Sequence, residues 1–183
     1  MSRATDLPFR RLATEWGAPI CMGEMAYAHK VVAGTGERAL LRRHPAEKIF
    51  GAQLAGKKPE LMAEAARIAE DCGADFIDVN LGCPIDDATR RGFGAALLQR
   101  TSKVAALVEA MKAAVEVPVT IKLRLGWSSE KPTVLKIARA AVEAGVDAIT
   151  LHPRSRAQRY RRPADWSHVG ELVEAVDVPV IGN

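Results

Sequence analysis

The feature that most constrains this chain is a unit that occurs twice. Cys72-Gly-Ala-Asp-Phe-Ile-Asp-Val-Asn80 and Ala144-Gly-Val-Asp-Ala-Ile-Thr-Leu-His152 share one plan: helix end, glycine, turn aspartate, buried strand, polar residue. Val117-Pro-Val-Thr-Ile-Lys122 and Val178-Pro-Val-Ile-Gly-Asn183 echo each other in the same way. Six short apolar runs, at 20–24, 49–54, 76–80, 119–123, 148–151 and 178–181, read as strands of the type buried on both faces. Amphipathic stretches separate them. Leu61, Ala65, Ile68 and Cys72 recur at helical spacing, and Gly73 stops that helix. Val104, Leu107, Val108 and Met111 repeat the pattern behind a Thr101 or Ser102 cap. Pro132 suits the first turn of a further helix that Gly145 ends.

Strands that alternate with helices make a parallel sheet, either closing into a barrel or doubly wound. A doubly wound sheet usually carries a glycine-rich phosphate loop after its first strand. Neither GxGxxG nor GxxxxGK[ST] occurs, so the expected fold is α/β, a (β/α)8 TIM barrel. A full barrel runs to about 250 residues. At 183 residues, this chain is expected to supply about six of the eight strands, as one domain spanning 1–183. An open barrel exposes two strand edges, which invite pairing with another chain.

Composition narrows the setting. No run approaches the roughly 18 apolar residues of a membrane span, and no apolar stretch follows Met1-Ser-Arg-Ala-Thr-Asp6 as in a signal peptide. Cys21, Cys72 and Cys83 are odd in number and lack CxxC spacing, which argues against a disulfide framework or a zinc site and fits a reducing cytoplasm. Cys21 and Cys72 are read as packing residues. The net charge of +4 leans toward a polyanionic partner.

The six runs end at or beside Glu24, Gln53, Asn80, Lys122, His152 and Asn183. In a barrel all C-terminal strand ends open on one face, where active sites are built. One polar strand end is ordinarily a solvated loop start; six in succession would converge on one small area, as a polar cofactor needs. Lys122 could stabilise negative charge near N1 and O2 of a reduced isoalloxazine. Gln53 can both donate to and accept from the pyrimidine edge of such a ring. These residue types also allow a phosphate. A metal is disfavoured, because lysine is a poor ligand and no His/Asp/Glu cluster accompanies it.

Cys83 lies past a strand end on a glycine-rich loop reaching Gly94. A cysteine at random is a small buried apolar residue; at a barrel mouth it is a candidate acid or nucleophile, since an ordinary thiol is protonated at neutral pH. His152-Pro-Arg-Ser-Arg-Ala-Gln-Arg-Tyr-Arg-Arg162 gathers five arginines and one aromatic after a strand end. Arginine suits phosphate, Tyr160 can stack on a base, and RNA is the favoured partner. Arg38, Arg42, Arg43, Lys57 and Lys58 read as ordinary surface charges.

Together these segments resemble the tRNA-dihydrouridine synthase family. The motifs are Thr5-Asp-Leu-Pro-Phe-Arg10, Gly23-Glu-Met25, Gly51-Ala-Gln-Leu54, Asp78-Val-Asn-Leu-Gly-Cys-Pro84, Gly92-Phe-Gly-Ala95, Val119-Thr-Ile-Lys-Leu-Arg124, Leu151-His-Pro-Arg-Ser-Arg156, Gln158-Arg-Tyr160, Ala164-Asp-Trp166 and Pro179-Val-Ile-Gly-Asn183. They stand in family order along the whole chain. The resemblance implies FMN as bound cofactor, NADPH as reductant and a uridine of tRNA as substrate, with hydride passing from reduced flavin to C6 and Cys83 protonating C5. It implies that Gln53, Lys122 and His152 hold the isoalloxazine, that Asn80 faces the uracil, and that Asn183 begins a segment leading toward the flavin phosphate. Met1 falls on the methionine of the family's first-strand motif. Arg154, Arg156 and Arg159 are candidates for gripping tRNA. Against the family pattern, a first strand before Met1, an eighth strand and a C-terminal helical tRNA-binding domain are absent, so the chain alone is expected to bind FMN weakly. Two other readings stay open: a dihydropyrimidine or dihydroorotate dehydrogenase-like flavoenzyme acting on a free base, and a non-catalytic RNA-binding fragment.

Overall fold

The computed structural model describes residues 5–183. Its centre is one sheet of parallel strands: β1 (Ile20–Met22), β2 (Ala26–Tyr27), β3 (Ile49–Ala55), β4 (Phe76–Asn80), β5 (Val119–Arg124), β6 (Ala148–His152) and β7 (Val180–Gly182). β1 and β2 lie along the same edge of β3, pairing with its beginning and its end, so they form one interrupted barrel strand. From there the strands follow one another in chain order, β3-β4-β5-β6-β7. Sequential order is the signature of a barrel wall; a doubly wound sheet reverses direction partway. The sheet is curled, and the fold is an incomplete α/β barrel.

The helices are α1 (Leu7–Glu15), α2 (Ala28–Val32), α3 (Pro59–Asp71), α4 (Asp86–Arg90), α5 (Thr101–Lys112), α6 (Val134–Glu143) and α7 (Ser167–Ala175). α3 packs on α2 and α5, α5 on α6, and α6 on α7, forming the outer layer. Val104, Leu107, Val108 and Met111 of α5 bury the stripe that their spacing predicts, whereas α3 buries Met62, Ala63, Ala65, Ala66 and Ala69, so that of the expected Leu61, Ala65, Ile68 and Cys72 only Ala65 is fully buried. Close approach is built in at Gly51, where a Cβ would stand 2.1 Å from the Phe76 ring. Among the described residues, no helix is long and apolar enough to cross a membrane.

Several boundaries differ from the sequence reading. The last strand begins at Val180 rather than at 178. Thr101 is the first residue of α5, and its cap is Arg100, without a side-chain bond. Pro132 precedes the cap Thr133 of α6 instead of lying in its first turn. Cys21 is buried, but Cys72 is exposed, because α3 ends at Asp71 and Cys72 caps it. Nor is Arg43 an ordinary surface charge: it pairs with Asp75 and donates to the carbonyls of Gly73, Glu47 and Lys48.

Candidate active site

In a parallel sheet, residues in register stand side by side, and alternate positions of a strand share a face. The strands read as wholly apolar therefore carry two polar rows. Gln53, Asp78 and Thr120 form one; Asn80 and Lys122 form the next, toward the C-terminal strand ends. Asp78 is fully buried and accepts from Gln53 Nε2 and Thr120 Oγ1, each at 2.8 Å. Burial pushes its carboxyl above the ordinary value; the bonds from Thr120 and Gln53 and the charge of Lys122 oppose that shift.

Gln53 turns its carbonyl to Asn80 Nδ2 at 2.8 Å. Asn80 Oδ1 in turn accepts from the backbone N–H of Cys83 at 2.9 Å and of Gly82 at 3.3 Å. A continuous chain of bonds thus runs from the buried row to the backbone of Cys83. The loop closes on Cys83 from the other side as well, since its carbonyl accepts from Ala95 N at 3.0 Å. Gly94 has φ +56°, and a Cβ there would lie 2.7 Å from Cys83 O and 2.9 Å from Cys83 Cβ. Only glycine fits, which is the physical content of the Gly-Phe-Gly motif.

Across the mouth, Lys122 Nζ donates to Asn183 Oδ1 at 2.6 Å. Burial pulls the Lys122 ammonium below the ordinary lysine value; Asp78 opposes this and Arg124 adds to it. His152 Nδ1 meets the Asn183 carbonyl at 2.8 Å, and Arg154 Nη1 approaches His152 Nε2 at 3.4 Å. Arginine can only donate, so Nε2 accepts and Nδ1 carries the proton. Burial lowers the His152 pKa; the bond to Asn183 raises it, and Arg124, Lys122 and Arg154 lower it further.

Gln53, Asn80, Cys83, Lys122, His152 and Asn183 line one cavity of ≈ 640 Å³, with Met25, Arg124 and Tyr160 also in its wall. The volume is that of a small-molecule site. Among the described residues its wall holds Lys122 and Arg124 and no aspartate or glutamate, so it suits an anionic or electron-rich ligand.

Not every expected residue joins. Glu24 turns away: the chain leaves the sheet between β1 and β2, and Glu24 Oε1 accepts from Thr5 N at 2.7 Å while Met25 lines the cavity. Met1 lies outside the described residues. Arg154 sits above the mouth, its guanidinium 5.5 Å from the Tyr160 ring centre. Arg156 and Arg159 are drawn off to Asp86, the first residue of α4. Sequence reasoning missed Asp78 and Arg124. Arg124 holds two loops together, donating to Gly82 O at 2.9 Å and Ser155 O at 3.3 Å. Its place next to Lys122 in a parallel strand end was the available signal. Among the described residues, no group of three His, Cys, Asp or Glu is placed to hold a metal.

Comparison with known proteins gives the family and the fold. The pattern that defines the "Dihydrouridine synthase (Dus)" family matches residues 1–183. A "tRNA-dihydrouridine(47) synthase [NAD(P)(+)]" of Cryptococcus neoformans var. neoformans serotype D is 41% identical over 196 residues, covering 97% of this chain and 27% of the relative. A Rhizobium leguminosarum bv. phaseoli protein named "Probable tRNA-dihydrouridine synthase" is 39% identical over 183 residues, covering all of this chain and 58% of the relative. The chain therefore spans about a quarter of the fungal protein and little more than half of the bacterial one. Among solved structures, histamine dehydrogenase from Rhizobium sp. 4-9 superposes with a TM-score of 0.68 at 15% identity, over 94% of this chain and 36% of that one, a likeness of fold.

Proposed function

The chain belongs to the dihydrouridine synthase family, and from that premise we propose that it forms part of the catalytic barrel of an FMN-dependent, NADPH-linked tRNA-dihydrouridine synthase of the cytoplasm. The observation that carries this reading is the convergence of Cys83, Lys122, His152 and three amides on one cavity whose described lining holds no aspartate or glutamate. That donor set fits a flavin: Lys122 faces developing negative charge, and Gln53, His152 and Asn183 bring groups that match a ring edge of alternating donors and acceptors. When bound, reduced FMN supplies the hydride that C6 of the uracil takes up.

The remaining steps belong to this chain's residues. The uridine leaves its stack, which costs a few kcal/mol, and Asn80 faces its ring. Cys83 gives its thiol proton to C5, so that one hydride and one proton saturate the C5–C6 bond, and the thiolate recovers a proton from water. Asn80 fixes the Cys83 backbone through its carbonyl, and Gly94 seats the loop from above. Arg154, Arg156 and Arg159 supply positive charge beside the mouth for the tRNA backbone.

Cys83→Ala, in a chain extended to the length of the bacterial relatives, tests the assignment. Dihydrouridine formation on unmodified tRNA is expected to fall by about 10²-fold or more, the scale of general acid catalysis, with flavin binding intact. Unchanged dihydrouridine formation would show that Cys83 is not the acid. Turnover of free uracil in place of tRNA would move the protein to the free-base dehydrogenases.

A further inference from the structure

The loop after β6 is tied to the start of α4 by one carboxylate. Arg156 Nη2 reaches Asp86 Oδ1 at 2.5 Å, and Arg159 Nη2 reaches both Asp86 oxygens at 3.4 Å. The arrangement is held at a cost. Arg159 has φ +51°, a strained conformation for a residue with a side chain. Arg156 Nε is buried without a hydrogen-bond partner, while Nη2 of the same guanidinium meets Asp86. Yet the Asp86 side chain is 54% exposed, so solvent screens its pairing with the arginines. Two arginines thus converge on a carboxylate that gains little from them and leaves one of their donors idle.

On either side of Asp86 lies a surface cavity with an aromatic wall. One, of ≈ 370 Å³, contains Trp127, with the Arg156 guanidinium 4.5 Å from its ring centre. The other, of ≈ 540 Å³, contains Tyr160 and Arg159. Asp86 and Arg90 line both. The Trp127 side is braced, since Arg156 N donates to Gly126 O at 2.9 Å and Ala157 N to Trp127 O at 3.0 Å.

The geometry points to a phosphodiester site in which the Asp86 carboxylate stands in for the phosphate: a single-stranded RNA segment places one phosphate between Arg156 and Arg159 and stacks its flanking bases on Trp127 and Tyr160. This rests on the RNA reading above and adds a two-base track with a built-in competitor. A phosphate accepts bidentately from arginine and carries charge at least as strong as the carboxylate's. Aromatic faces hold bases without regard to sequence. Asp86 is then an intramolecular anion that binding must displace, which favours polyanions over isolated anions.

The test is fluorescence anisotropy of the 183-residue chain with a fluorescein-labelled oligouridylate, at several salt concentrations. Asp86→Asn keeps size and removes charge; it is expected to bind about three- to fivefold tighter, the effect of freeing arginines from an exposed pair. Trp127→Ala is expected to bind about tenfold more weakly, with thermal unfolding of each variant as the check on folding. Binding by the parent chain that Asp86→Asn leaves unchanged or weakens overturns this inference alone. No binding by either protein overturns the inference and the RNA reading together.

Discussion

The buried charges around Arg10 and around Asp78 are used in opposite ways. Around Arg10 the network is closed. Its Nε meets Glu47 Oε1 at 2.7 Å, Nη1 donates to Thr5 O at 3.1 Å, Nη2 donates to Arg42 O at 2.6 Å, and the guanidinium lies 4.8 Å from the Phe50 ring centre. The other Glu47 oxygen accepts from His44 N at 2.6 Å. All three nitrogens of one ion and both oxygens of the other are committed to the protein. Around Asp78 the network is open. It climbs through Gln53 and Asn80 to a cavity, where Lys122 spends one donor on Asn183 and keeps two. A closed network fixes α1 to the sheet and does no chemistry. An open one holds desolvated charge for a ligand to satisfy.

The sharpest way to break the contrast is Arg10→Ala. It leaves Glu47, whose side chain is 0% exposed, as an uncompensated buried charge. A loss of about 3–5 kcal/mol in urea unfolding is expected, with no change in flavin affinity of the protein that stays folded. A loss near zero would mean that the pair is not structural.

Lys122→Met should show the reverse pattern. The pKa of Lys122 is lowered in the fold, so the folded chain disfavours its charge at every pH below the ordinary lysine value. Removing the ammonium is therefore expected to leave the unfolding midpoint unmoved or raised. FMN affinity, followed by flavin fluorescence, is expected to fall about 10- to 100-fold, the range of a hydrogen bond to a charged group. Lost stability with unchanged FMN affinity would make Lys122 a second Arg10.

The sequence showed the open network better than the closed one, for a physical reason. Asn80, Lys122 and His152 are legible because barrel topology sends every strand end to one face, so local pattern suffices. Asp78 is not, because its place depends on register with Thr120, 42 residues away. Arg10 is hidden for the same reason, its partner lying 37 residues on. Glu24 shows the limit of the strand-end rule: a break between β1 and β2 turned it aside, and only Gly23 hinted at that. Arg156 and Arg159 read as free cations because nothing local reveals an aspartate 70 residues upstream in the chain. Cys72 sat at helical spacing, but the helix stopped one residue short of it.

The smallest expected effect probes the open network's charge. Burial, together with Arg124, Lys122 and Arg154, holds the His152 pKa below 6.5 against the pull of the Asn183 carbonyl. Its NMR titration midpoint should lie below that value, and Arg154→Gln should move it part of the way back. The sign for stability follows. Above pH 6.5 the ring is neutral in folded and unfolded chains alike and contributes nothing. As pH falls from 6.5 toward the folded-state value, the unfolded chain takes up the proton first, so stability declines across that window. A midpoint at or above 6.5 would mean that the bond to Asn183 outweighs burial and the three cations together. The positive field of Lys122, Arg124 and Arg154 at the mouth would then be too weak to favour an electron-rich ring there.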